Sequence, residues 1–183
     1  ADALAALLCG EENFSAKLPF TYPKYVNKFA VYDYKPAENQ ATMAGDYNYN
    51  AVMDVQWPFG YGLSYTQFEF RGLKLNTDKI AAGETVTASV TVANIGHRAG
   101  VAVPQLYIRD WVSSTVKPER YLCGFTKVEL EPGEEKTVEI TIGERSMRTL
   151  NEDYIWNIEP GKFTVYLGEN CEKIYFEADF VVE

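Results

Sequence analysis

The stretch "ETVTASVTV", residues 84–92, sets Val86, Ala88, Val90 and Val92 alternately with Thr85, Thr87, Ser89 and Thr91. A period of two places every second side chain on one face, so this is a strand with one buried and one wet side. The same alternation returns at Val138, Ile140 and Ile142, at Phe163, Val165 and Leu167, and at Ile174, Phe176, Ala178, Phe180 and Val182. Turn chemistry separates the runs: "NIGHRAG" at 94–100, "EPGE" at 131–134 and "EPGK" at 159–162.

Adding residues 68–75, 106–108 and 122–130 gives about seven strands over residues 66–183. That spacing is the pattern of an immunoglobulin-like or fibronectin type III-like β-sandwich. Pro104 interrupts it, which an edge strand or a bulge tolerates. The fold expected is mainly β, a sandwich preceded by a helix-strand segment.

Residues 1–65 read differently. "ADALAALLCG" is a short helix with Ala3, Leu4, Leu7 and Leu8 in one stripe and Gly10 as its C-cap. An extended run, "LPFTYPKYV", follows, and then a polar loop. One helix and one strand enclose no core. A parallel strand after a helix joins a larger sheet, so residues 1–65 read as the trailing end of an α/β domain whose other members are needed to cover it.

The connector "WPFGYGLSYTQFEF", residues 57–70, sharpens that expectation. Burying Trp57, Phe59, Tyr61 and Tyr65 gains at most about 15–25 kcal/mol gross. Ordering residues 57–65 costs about 9–18 kcal/mol, with Gly60 and Gly62 losing most freedom. The two terms nearly cancel, so the stretch is ordered only where its rings find a surface to bury against. These four residues are the expected domain-docking set.

Composition excludes several classes. The chain has 183 residues, 46% of them hydrophobic, which is globular, and a formal charge of -9 gives no basic footprint for nucleic acid or an anionic membrane. No apolar run approaches a membrane span, and no signal-peptide pattern opens the chain. Cys9, Cys123 and Cys171 are widely separated and the lone His97 sits in a turn, so no metal-ligand spacing exists; no cofactor is expected.

Five blocks, "ADALAALLCGEENFSAKLPFTYP", "WPFGYGLSYTQFEF", "VANIGHRAGVAVPQLYIRD", "KPERYLCGFTKVELEPGEEKTVEI" and "WNIEPGKFTVYLG", resemble in order and spacing the C-terminal part of glycoside hydrolase family 3. Asn13-Phe14-Ser15-Ala16 stands where the family has Asn-Pro-Ser-Gly, and Asn94-Ile95-Gly96 where it has Asn-Thr-Gly. The resemblance implies a β-glucosidase or β-xylosidase made of a barrel, an α/β sandwich and a fibronectin-like domain. It implies that residues 1–65 end the α/β sandwich and carry the connector, and that 66–183 are the fibronectin-like domain. The implied partners are the rest of the glycosidase and, for the whole enzyme, a β-glycoside or oligosaccharide substrate. Periplasmic or secreted residence follows from the habits of such enzymes.

Retaining hydrolysis requires two carboxyl groups about 5–5.5 Å apart. In the family these lie on the barrel and upstream in the α/β sandwich, so no catalytic residue is expected here. Asp110 in "RDW" reads as a strand-end turn former, and Glu11, Glu12, Glu134, Glu135, Glu144 and Glu152 as solvated surface. The loop at 34–54 is the place for a direct role. Asn39, Asp46, Tyr47 and Tyr49 have the polar and stacking chemistry that sugars need, set against a plain surface excursion. A free-standing carbohydrate- or protein-binding module and a structural spacer remain alternatives, but they leave residues 1–65 without purpose.

Overall fold

A computed structural model describes residues 2–36, 38 and 53–183. In chain order its elements are α1 (Asp2–Cys9), β1 (Tyr22–Pro23), β2 (Val55–Trp57), β3 (Phe68–Leu75), β4 (Lys79–Ile80), β5 (Val86–Asn94), β6 (Gly100–Ala102) and β7 (Gln105–Asp110). Then come β8 (Tyr121–Phe125), β9 (Val128–Leu130), β10 (Glu135–Ile142), a 3-10 turn (Glu144–Ser146), β11 (Thr149–Leu150), β12 (Trp156–Asn157), β13 (Gly161–Gly168) and β14 (Ile174–Val182).

Two sheets face each other, one ordered β10-β5-β3 and the other β4-β14-β13-β7-β8. In β5, Val86, Ala88, Val90 and Val92 are fully buried, as their alternation requires. Antiparallel register sets Val90 opposite both Val138 and Leu73, and Ala88 opposite Ile140. From the other sheet Leu106, Ile108, Phe163, Val165, Leu167 and Phe180 close the same core. On the outer side of β5, Thr91 bonds Thr137 across the ladder at 2.9 Å. The fold is therefore a mainly β sandwich with a small helix.

The strand expected over 122–130 is two strands. β8 belongs to the larger sheet through β7, whereas β9 pairs with β6. The division falls at Pro104, between β6 and β7, which has no N–H to continue a ladder. Its carbonyl accepts Thr126 N–H at 3.4 Å, so both arms of the hairpin leave the sheet at one level.

The described residues among the first 65 form a layer outside the larger sheet. Leu106 and Ile108 point into the core, yet Tyr107 between them is also fully buried, because Tyr32 meets its ring edge-on at 6.3 Å. The strand after α1 does not pair in parallel. β1 pairs antiparallel with β2, where the connector returns along it. α1 ends in a Schellman turn, with Gly10 at φ +76° and Glu11 N–H donating to Ala6 O at 2.8 Å.

Candidate functional site: the aromatic latch

The connector starts with a tight turn in which Tyr61 N–H donates to Pro58 O at 3.0 Å and Gly60 takes φ +82°. Positive φ at the third turn position is the type II requirement that glycine meets without strain. Gly60 also lacks a side chain for a second reason: a Cβ there would lie 2.1 Å from Gln105 Oε1.

Gln105 is the polar centre of the latch and is buried. Its Nε2 donates to Gly60 O at 3.0 Å and to Glu169 O at 2.6 Å, while Tyr107 O–H donates to its Oε1 at 2.7 Å. Cys171 N–H donates to Phe59 O at 3.1 Å. The Phe59 ring stacks on Tyr32 with centroids 3.9 Å apart. On its other side the connector is bound to residues 13–18. Gly60 N–H donates to Leu18 O and Leu18 N–H to Tyr61 O, both at 2.8 Å, and Lys17 Nζ donates to Gly62 O at 3.0 Å. Asn13 Oδ1 accepts from Ser64 Oγ and Tyr65 N–H.

The four expected docking residues thus divide. Phe59 is received by the chain's own layers, and Tyr61 is half-buried. Trp57 touches Tyr22 edge-on at 5.0 Å and Tyr65 tilts against Phe14 at 5.5 Å, yet they stay 40% and 46% exposed. Among the described residues, ten large apolar side chains between positions 4 and 65 are exposed, including Leu4, Leu8, Phe20 and Phe29. At about 100 Å² each they present roughly 1,000 Å². A monomer's largest apolar patch is about 300–600 Å², and one side of a standard interface is about 800 Å². Their summed exposure is on the scale of one side of an interface.

Burial keeps the thiol and the phenols of the latch protonated and so poor nucleophiles. It pushes the Cys171 thiol up to about 12 and raises the Tyr32 and Tyr107 phenols. It also lowers Lys17, against the opposing charge of Glu169.

Asn39, Asp46, Tyr47 and Tyr49 lie outside the described residues. The flanks of their loop are fixed: Glu119 N–H donates to Tyr34 O at 3.0 Å, and Lys28 pairs with Asp54 at 3.4 Å. A cavity of about 60 Å³ at this base is lined by Thr21, Tyr32, Tyr34, Glu119, Arg120 and Glu172. That holds water, not a sugar ring, since ligand pockets start near 300 Å³. Among the described residues the buried Thr21 hydroxyl has no partner, and it suits such a water.

Asp110 forms the turn its position suggests, accepting Val112 N–H at 3.3 Å. Its side chain is 1% exposed and pairs with Lys117 at 3.2 Å, so no substrate reaches it. Glu11, Glu12, Glu135, Glu144 and Glu152 are exposed, Glu134 is half-buried, and His97 is exposed. Among the described residues no three His, Cys, Asp or Glu side chains gather into a metal-holding group. Sequence reasoning passed over Gln105, Asn13 and Lys117. A polar residue opening the apolar run "QLYI" was the available signal for Gln105.

A fibronectin type III-like domain model matches residues 102–171. The chain is 36% identical over 181 residues to the periplasmic β-glucosidase of Salmonella typhimurium, covering 94% of this chain and 23% of that one. It is equally similar to a β-xylosidase of Formosa agariphila over 171 residues, 93% of this chain and 24% of that protein. The chain is related to the C-terminal part of family 3 glycoside hydrolases. Among solved structures, a β-glucosidase from Erythrobacter marinus superposes with TM-score 0.86 at 32% identity, over 99% of this chain and 23% of that one. The glucose complex of a Listeria innocua β-glucosidase gives 0.85 at 30%, over 98% and 26%. The chain thus spans about a quarter of the length of these relatives.

Proposed function

We propose that this chain is the supporting C-terminal portion of an exo-acting retaining β-glycosidase, a β-glucosidase first, which removes terminal non-reducing β-D-glycosyl residues. The catalytic carboxyl groups belong to the barrel and the rest of the α/β sandwich, outside these residues. Residues 1–65 close that α/β domain and 66–183 brace it. Trp57, Phe59, Tyr61 and Tyr65 hold the domains together, and Asn39, Asp46, Tyr47 and Tyr49 are the residues here whose chemistry would suit a sugar.

One observation carries this reading. The connector is locked on one side by Gln105 and Cys171, while Trp57, Tyr65 and the α1 stripe stay exposed beside it. A surface built so firmly and left apolar is half of an interface. Asp110, a deeply buried carboxylate, is already committed to Lys117.

The test is complementation. The isolated chain leaves a nitrophenyl β-glucoside unhydrolysed, and mixing it with the remaining domains restores turnover. Hydrolysis by the chain alone would refute the assignment.

The alternative of a free-standing carbohydrate- or protein-binding module has one observation in its favour. Tyr154, at φ 61° and 84% exposed, is held at the tip of the β11–β12 hairpin by Asn151 Oδ1, which accepts Asp153 and Ile155 N–H. Tight oligosaccharide binding lost in Tyr154→Ala would favour it.

A further inference from the structure

α1 has eight residues and none is buried. A helix that short is marginal in water on its own. Its C-terminal end is held from outside instead. Tyr65 O–H donates to Leu7 O at 2.7 Å, and Arg98 Nη2 donates to Glu11 O at 3.0 Å. The same guanidinium lies 5.6 Å from the Tyr65 ring centroid. Asn13 completes the joint, accepting Tyr65 N–H at 2.9 Å and donating through Nδ2 to Ala99 O at 3.0 Å. Arg98 and Ala99 belong to the turn between β5 and β6, so the sandwich itself grips the helix end. What it holds out is the Leu4 and Leu8 stripe, 60% and 68% exposed.

We propose that Arg98, Tyr65 and Asn13 are positioning residues that keep α1 in a docking-ready helix, its Leu4–Leu8 stripe received by the rest of the glycosidase. The occupant rests on the function proposed above. It is favoured because relatives carry about three times more chain than is present here and because the 46%-exposed Tyr65 of the connector stands against the same helix end. Ordering the helix in advance removes that cost from docking.

Two measurements test this. In hydrogen exchange on the isolated chain, Arg98→Ala and Tyr65→Phe each speed exchange of the α1 amides about 5–10-fold, one hydrogen bond's worth, and leave β5 and β13 protected. Wild-type α1 amides without protection, or protection unchanged in both variants, overturn the inference. The second measurement is affinity for the Salmonella typhimurium β-glucosidase lacking the segment that this chain matches. Wild type binds it, each variant binds about 5–10-fold more weakly at an unchanged melting temperature, and Arg98→Lys recovers part of the loss. Equal binding by all variants overturns the positioning role alone. Wild type that fails to bind while its exchange pattern stands overturns the functional reading and the occupant. A wild-type dimer that Leu8→Asp dissolves names a second copy as occupant and overturns the one proposed.

Discussion

Replacing Gly60 by alanine tests the latch at its tightest point. The new methyl would lie 2.1 Å from Gln105 Oε1 and 2.9 Å from its Cδ, and the amide is flexible enough to swing away only by abandoning its partners. Those are Gly60 O, Glu169 O and the Tyr107 hydroxyl. Each bond contributes about 1 kcal/mol, and a buried polar group left alone costs about 1–3 kcal/mol. Holding alanine at φ +82° adds about 1 kcal/mol. The expected loss is about 3–6 kcal/mol. Gly133→Ala is the control, because φ there is +78° and no atom lies within 4 Å of its Cβ, so only the backbone strain remains. Urea unfolding of both variants isolates the packing contribution. A Gly60→Ala loss within 1 kcal/mol of the Gly133→Ala loss would refute the reasoning. Adding Gln105→Ala, which vacates the space, should make Gly60→Ala milder than it is alone.

Other outcomes follow from the same geometry. Asp110→Ala strips the 12%-exposed Lys117 of its counter-charge and should cost about 3–5 kcal/mol in denaturant melts; a loss under 1 kcal/mol would mean that the pair is solvated. The Cys123 and Cys171 thiols are pushed up to about 12 by burial, so the folded chain keeps protons that the unfolded chain releases near pH 9. Their contribution is complete below pH 9 and is lost as pH rises towards 12, at about 1.4 kcal/mol per pH unit per thiol. Stability flat from pH 8 to 11 would contradict this. At pH 8 a disulfide reagent should label the exposed Cys9 at once and the other two only after unfolding.

The sandwich was readable because its signal is local. The alternation around Val90 needs only the rule that neighbours on a strand face opposite ways, and the core obeys it from Val86 to Val182. The break between β8 and β9 was not readable, since the one breaker in "LCGFTKVEL", Gly124, lies inside β8 and not at the division. The interruption comes from Pro104 on the partner strand, some twenty residues away. Gln105 and Asn13 were missed for the same reason, as all their partners but Tyr107 lie between 45 and 86 positions off. The docking set was legible as a demand for burial. How much of that demand the chain meets itself, more for the half-buried Phe59 than for the exposed Trp57, depends on where Tyr32 and Tyr22 fold back.

Tyr107 bears on where this polypeptide can be cut. Its ring occupies the outer side of a sheet that would otherwise meet water, and the roof over it is Tyr32 with Phe59 stacked above. A polypeptide trimmed to begin at Gln67 would keep every strand of the sandwich and still uncover a greasy, phenol-bearing stripe. Such a fragment should be sticky and poorly behaved at high concentration, whereas one that begins ahead of Asn13 keeps its cover.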